Sequence, residues 1–189
     1  FAAQERDLAT LAEADRYRSL RPCTGVDFAS NDYLGLAGSD RLRTAMIEAL
    51  SRGVPVGSGG SRLLRGNAPE HETLEAEAAR FFGTEAALFF ASGYVANTIL
   101  FATLPQRGDL IVHDALIHAS AHEGMRLTRA TCVGAAHNDA GAFEDAITAW
   151  RATGGRGRVW IAVESLYSMD GDRAPLADLA HVADRHDAI

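Results

Sequence analysis

Residues 109–127 read DLIVHDALIHASAHEGMRL, and they decide the fold. Asp109 to His113 is a short apolar run of strand length, while Ile117 to Leu127 is long enough and patterned for a helix. The same alternation continues on both sides. Upstream, Ala86 to Phe90 reads as a strand and Gly93 to Leu104 as a helix. Downstream, Ala130 to Val133, Asp139 to Ala152, Arg158 to Glu164 and Leu176 to His186 repeat strand, helix, strand, helix. Strands that are apolar throughout and separated by helices describe a mainly parallel sheet covered on both faces. The expected fold class is therefore α/β, a three-layer α/β/α arrangement.

The region before it has a different texture. Leu8, Leu11, Ala12 and Ala14 recur at helical spacing between Ala2 and Leu20, and Pro22 and Gly25 are expected to end that helix. Val26 to Ala29 reads as a short strand, Ser30 to Gly38 as a turn-rich loop, and Asp40 to Arg52 as a helix. Gly53 to Asn67 is too rich in glycine for a helix or strand interior. Pro69 then opens a helix with Leu74, Ala78, Phe81 and Phe82 along one stripe, and Gly83 lies just past its end. The expected division is an N-terminal helix and small-domain segment over 1–52 and the first part of a larger domain over 53–189. Ala188 and Ile189 read as the start of a further strand, so the chain is expected to be a piece of a longer polypeptide.

Composition removes several classes of function. The 189 residues carry a formal net charge of −7, and all 18 of their Lys and Arg residues are arginine. An acidic chain with no basic arm is a poor nucleic-acid binder. Without lysine, this chain supplies no lysine nucleophile and no P-loop lysine. Cys23 and Cys132 are far apart with no CxxC spacing, which fits reduced, buried thiols in a cytoplasmic protein. No apolar run reaches the roughly 18 residues of a membrane span.

Sites in open α/β sheets lie at the carboxyl ends of the strands. After Ala86–Phe90 comes Ser92-Gly93-Tyr94, where a helix N-terminus either seats an anion on the N–H groups of Gly93 and Tyr94 or is simply capped by Ser92. After Asp109–His113 come His118 and His122 with Glu123. The i, i+4 pair is compatible with a metal, but no HExxH order or third ligand accompanies it. His118 alternatively serves as a plate or proton carrier for a flat ligand, or as a structural histidine. After Arg158–Glu164, Glu164 and Ser168 place a carboxylate and a hydroxyl at the same edge, although Asp170-Gly171 also reads as a tight turn. Arg16, Arg18 and Arg21 offer guanidinium groups suited to a carboxylate.

The motifs SNDYLGL (30–36), GSGGSR (57–62), Gly66 with His71, Leu74 and Glu75, Ser92-Gly93-Tyr94 with Ala96-Asn97, DALIHAS (114–120), His137-Asn138-Asp139 and SMDGD (168–172) occur in one order from about Arg18 onward. Together they resemble the α-oxoamine synthases, fold-type I enzymes that use pyridoxal 5′-phosphate (PLP). SNDYLGL and GSGGSR lean toward members that condense L-alanine with a pimeloyl thioester, and DALIHAS is shared with members that use glycine and acetyl-CoA.

The resemblance implies the following roles. Gly93 and Tyr94 hold the cofactor phosphate, and His118 stacks on the ring and handles protons at the substrate carbon. Ser168 bonds the phenolic oxygen, and Glu164 supports the ring. Arg18 binds the substrate carboxylate, with Arg21 as a competitor, and Asn31 lines the substrate pocket. The reaction is a decarboxylative condensation of an amino acid with an acyl-CoA or acyl carrier protein thioester. The enzyme is a cytoplasmic homodimer in which the Gly57–Arg62 loop reaches the neighbour's site, with no metal, membrane or nucleic acid involved. The acid for the pyridinium nitrogen and the cofactor lysine are expected after Ile189. Two other classes compete: a relic of this fold acting as an interaction subunit, and a nucleotide-binding domain.

Overall fold

The structure is a computed structural model that describes residues 1–20, 22 and 24–189. Arg21 and Cys23 lie outside the described residues. The chain divides into two compact units, Phe1–Asn67 and Ala68–Ile189.

The first unit contains α1 (Ala2–Glu13), α2 (Asp40–Ser51) and one π-helical turn, Arg62–Gly66. The first helix is shorter than its sequence pattern. It is capped at Ala14, and Asp15 turns into the left-handed region at φ 53°, so Pro22 and Gly25 are not what stops it. Aspartate enters that region more readily than most side chains. Val26 to Ala29 is not a strand, because no other backbone pairs with it among the described residues. The glycine-rich stretch is not all loop either. Ser61 Oγ accepts from the Leu63 N–H and opens the π turn, and Gly66 closes it where a Cβ would run into the Gly60 carbonyl oxygen. Neither α1 nor α2 contains a buried residue.

The second unit follows the order α3 (Pro69–Phe82), α4 (Gly93–Thr103), β1 (Leu110–Asp114), α5 (Ala119–Leu127), β2 (Thr131–Ala135), α6 (Ala140–Ala152), β3 (Val159–Ala162), α7 (Leu176–His186). Pro69 starts α3, and Gly83 ends it at φ 67°, as proline-in, glycine-out asymmetry requires. Ala86 to Phe90 departs from expectation, being irregular rather than a strand. The Phe89 N–H is taken by Glu75 Oε1 at 2.8 Å instead of a sheet neighbour.

The sheet is parallel, in the order β2-β1-β3. Ala188 and Ile189 lie along β3, the Ile161 N–H donating to the Ile189 carbonyl at 2.7 Å and the Ile189 N–H to the Val159 carbonyl at 3.0 Å. Successive residues of β1 point to opposite faces. Leu110 and Val112 pack with Phe143 and Ile147 of α6 and Leu179 and Val182 of α7. Ile111 packs with Ala121 and Met125 of α5 and, from beyond the strand, Ile117. The three layers expected from sequence are present. Helix α5 also lies close to α4, where a Cβ on Gly124 would stand 2.6 Å from the Thr98 carbonyl oxygen. Cys132, expected to be buried, is exposed on β2, an edge strand.

Candidate active site

The central strand ends on a buried carboxylate. Asp114 is fully buried, and its Oδ1 accepts from the Leu116 N–H at 2.8 Å and from His137 Nδ1 at 2.7 Å. Its Oδ2 accepts from the Asn138 N–H at 2.9 Å. On its far side, His137 Nε2 meets Asp172 Oδ2 at 2.8 Å. Each ring nitrogen thus faces a carboxylate oxygen, and only an imidazolium donates to both. Those two hydrogen bonds, to Asp114 first and Asp172 second, raise the His137 pKa above the ordinary histidine value. Burial alone would push the Asp114 carboxyl up. The bonds from Asn138, His137 and Leu116 outweigh it and hold the group below the usual carboxylate range.

Around this core, Asn138 sits in the left-handed region at φ 56° and donates from Nδ2 to Asp172 Oδ2 at 2.8 Å. Tyr167 is buried edge-on to the His137 ring, 4.6 Å between centroids. Burial pushes its phenol up to about 12. The end of β1, the loop before α6 and the loop after β3 are thereby tied together.

The loop after β3 carries two of the expected site residues. Glu164 Oε1 accepts from the His118 backbone N–H at 2.6 Å, which brings these two residues together. Ser168 is exposed in a turn, and no hydrogen bond occupies its hydroxyl among the described residues. Asp170-Gly171 belongs to that turn, with Gly171 at φ 74°, and no hairpin forms.

His118 is the N-cap of α5, with its Nδ1 3.1 Å from the Ser120 N–H and 2.7 Å from Ser120 Oγ. The ring of Tyr94 stands edge-on to it at 6.3 Å. Tyr94 and Gly93 open α4, and Ser92 caps that helix by accepting from the Val95 N–H at 3.2 Å. The N–H groups of Gly93 and Tyr94 have no acceptor among the described residues, and a Cβ at Gly93 would meet nothing within 4 Å. An open helix N-terminus beside an exposed imidazole can hold an anionic group and a flat ring together.

His122 turns away from this rim and packs edge-on to His113 at 5.0 Å. Burial, with His113 and Arg126 nearby, lowers its pKa. Among the described residues no group of three or more His, Cys, Asp or Glu is placed to hold a metal ion. No helix is long and apolar enough to cross a membrane. Arg18 and Asn31 belong to the first unit, where both are exposed. The turn that follows Asn31 is organised by Asp32, whose carboxylate accepts from the Leu36 and Ala37 N–H groups at 2.6 and 3.0 Å.

Asp114, His137, Asp172, Asn97 and Ser120 stand within the motifs, but the sequence alone assigns them no role. The available signal was an acid closing an apolar strand at the edge where sites form.

Comparison with known proteins places this geometry. Residues 24–189 match the family described as aminotransferase class I and II. An 8-amino-7-oxononanoate synthase of Emericella nidulans is 43% identical over 179 residues, covering 90% of this chain and 43% of that protein. The enzyme of the same name from Geobacter sulfurreducens is 41% identical over 196 residues, covering 97% and 49%. The chain spans about half the length of the curated relatives it matches. Among solved structures, a serine palmitoyltransferase from S. paucimobilis with PLP-myriocin bound superposes with a TM-score of 0.81 at 25% identity, covering 99% of this chain and 50% of that one. An 8-amino-7-oxononanoate synthase from Francisella tularensis gives 0.65 at 27%, covering 83% and 42%. The chain belongs to the aminotransferase class I and II family, within the α-oxoamine synthase group that its motifs resemble.

Proposed function

We propose that this chain forms the cofactor-phosphate seat and ring plate of a PLP-dependent acyltransferase that condenses L-alanine with pimeloyl-CoA, or pimeloyl carrier protein, to 8-amino-7-oxononanoate in biotin biosynthesis. The observation that carries it is the open N-terminus of α4 beside the ring of His118, in a chain 41–43% identical to enzymes of that name.

The donor set fits PLP. Two unpartnered N–H groups at a helix N-terminus suit a phosphate, and the space at Gly93 is open. The planar side chain of His118 stands beside Tyr94 and its main chain meets the Glu164 carboxylate, and Ser168 lies in the loop after β3 of the same unit. The covalent anchor is not among these 189 residues, which contain no lysine. The resemblance assigns that lysine, and the acid for the ring nitrogen, to positions after Ile189.

When bound, PLP supplies an electron sink for the amino acid's α-carbon, so that the carbon can lose a proton and take up an acyl group. Gly93 and Tyr94 bind the phosphate, His118 covers the ring, and Ser168 holds its phenolic oxygen. Glu164 fixes the main chain at His118. Arg18, or Arg21 in its place, binds the substrate carboxylate, and Asn31 lines the pocket. These groups contribute orientation and charge placement. The enzyme works in the cytoplasm as a homodimer with shared active sites, the Gly57–Arg62 loop entering the neighbour's.

A full-length enzyme carrying this sequence is expected to release CoA and carbon dioxide from L-alanine with pimeloyl-CoA. Two other pairs belong in the same assay: glycine with acetyl-CoA, because of the DALIHAS stretch, and L-serine with palmitoyl-CoA, because of the serine palmitoyltransferase likeness. Turnover of either, with none of the alanine pair, overturns the substrate assignment.

A further inference from the structure

We propose that Asn97 and Ser120 are positioning residues that set the tautomer of His118 and hold its ring. The Ser120 backbone N–H lies 3.1 Å from His118 Nδ1, and a backbone N–H can only donate. Nδ1 therefore presents its lone pair, and the proton of the neutral ring is on Nε2.

The side chain of Ser120 adds a second donor. Its Oγ accepts from Asn97 Nδ2 at 3.0 Å and lies 2.7 Å from the same Nδ1. An oxygen that already accepts from an amide and faces a lone pair directs its own proton to that nitrogen. The chain of donors runs from the Asn97 amide to the Ser120 hydroxyl to His118.

This chain is built into the fold. Ser120 is fully buried, Thr98 Oγ1 bonds the Ser120 carbonyl at 3.2 Å, and Gly124 lets the two helices approach. The main chain at His118 is held from the other side by Glu164 at 2.6 Å. The ring is thus held from α4 and α5 and its main chain from the loop after β3, and the ring edge left over carries an N–H. His118 enters the reaction as a hydrogen-bond donor to an acceptor atom of the ligand, not as the base that first takes a proton. This last step rests on the functional reading above; the tautomer does not.

The test is a long-range proton–nitrogen correlation spectrum of the chain labelled with ¹⁵N-histidine, which has seven histidines to assign. His118 is expected to show the Nε2–H pattern, and an Nδ1–H pattern overturns the proposal. Ser120→Ala keeps the backbone N–H at 3.1 Å but removes the closer hydroxyl donor, and is expected to raise the Nδ1–H minority, Asn97→Leu to move the pattern less in the same direction, and Ser120→Thr to keep it. A pattern that Ser120→Ala leaves untouched overturns it too. In the full-length enzyme, Ser120→Ala is expected to lower kcat about tenfold with little change in KM for the amino acid, and Ser120→Thr to restore most of it. Full kcat in Ser120→Ala overturns the functional half. If the wild-type enzyme turns over no substrate pair while the tautomer pattern stands, the functional reading fails and the positioning chain survives.

Discussion

Asp114 shows how a single side chain joins parts of the chain that are far apart in sequence. Its partner His137 is 23 positions away, and Asp172 is 35 further on. A buried carboxylate is expensive to leave without its hydrogen-bond partners. Asp114→Asn keeps the shape and removes the charge, and it is expected to destabilise the chain by about 3 kcal/mol, read as a lower denaturant midpoint. The pH dependence follows from the two shifts. The depressed Asp114 carboxyl stabilises the fold above its unfolded value of about 3.8, and that contribution is lost as pH falls through its lower native value. The raised His137 stabilises below about 6.5, and its contribution is lost as pH rises through the higher native value. The contribution of this pair should therefore be flat between these limits, and Asp114→Asn should lose its acid limb and shrink the alkaline one, because Asp172 still faces His137. None of this was legible from spacing. A hydrogen bond across 23 residues leaves no periodic trace, whereas the local cap of Ser92 on Val95 does.

At the scale of elements, the helices were the most legible part. Pro69 and Gly83 bracket α3, Ser92 caps α4, and Asp139 caps α6 by accepting from the Ala142 N–H at 3.1 Å. Each signal is local, so the sequence carries it. Strand pairing is not local, and both segments read as strands without a partner, 26–29 and 86–90, turned out irregular. Apolar content predicted the latter, but Glu75 takes the Phe89 N–H that a ladder would have needed. The approach of α4 and α5 was equally hidden, since Gly124 looks like an ordinary helix weakness. In an exposed helix, replacing glycine by alanine stabilises by up to about 1 kcal/mol. Here the added Cβ would stand 2.6 Å from the Thr98 carbonyl oxygen and 2.9 Å from Phe101 Cβ. Gly124→Ala is expected to destabilise by about 1–3 kcal/mol in the same unfolding measurement. A gain in stability would show that the two helices do not meet at this residue.

Across the whole molecule, the two units contrast. The second has a sheet with apolar clusters on both faces, while α1 and α2 of the first bury none of their residues. The α/β class was legible because alternating apolar runs and amphipathic helices admit few arrangements. The site was legible only as a rim, because strand ends mark where ligands bind without saying which side chains meet. The missing lysine shows the same limit. Composition excludes lysine chemistry by these 189 residues, yet the motifs resemble a family whose cofactor is held by one. What these residues can supply is the phosphate seat, and Gly93 allows it to be tested without breaking the helix. Proline is at home in the first helical position, and Ser92 before it already has the extended backbone that proline demands, at φ −155° and ψ 153°. Gly93→Pro then removes one N–H and leaves α4 in place. The deciding measurement is PLP titration of the full-length apoenzyme, wild type against Gly93→Pro. The expected result is affinity weakened about tenfold or more, the value of one charge-assisted hydrogen bond. Equal affinity in the two proteins would contradict the seat, and with it the proposed function.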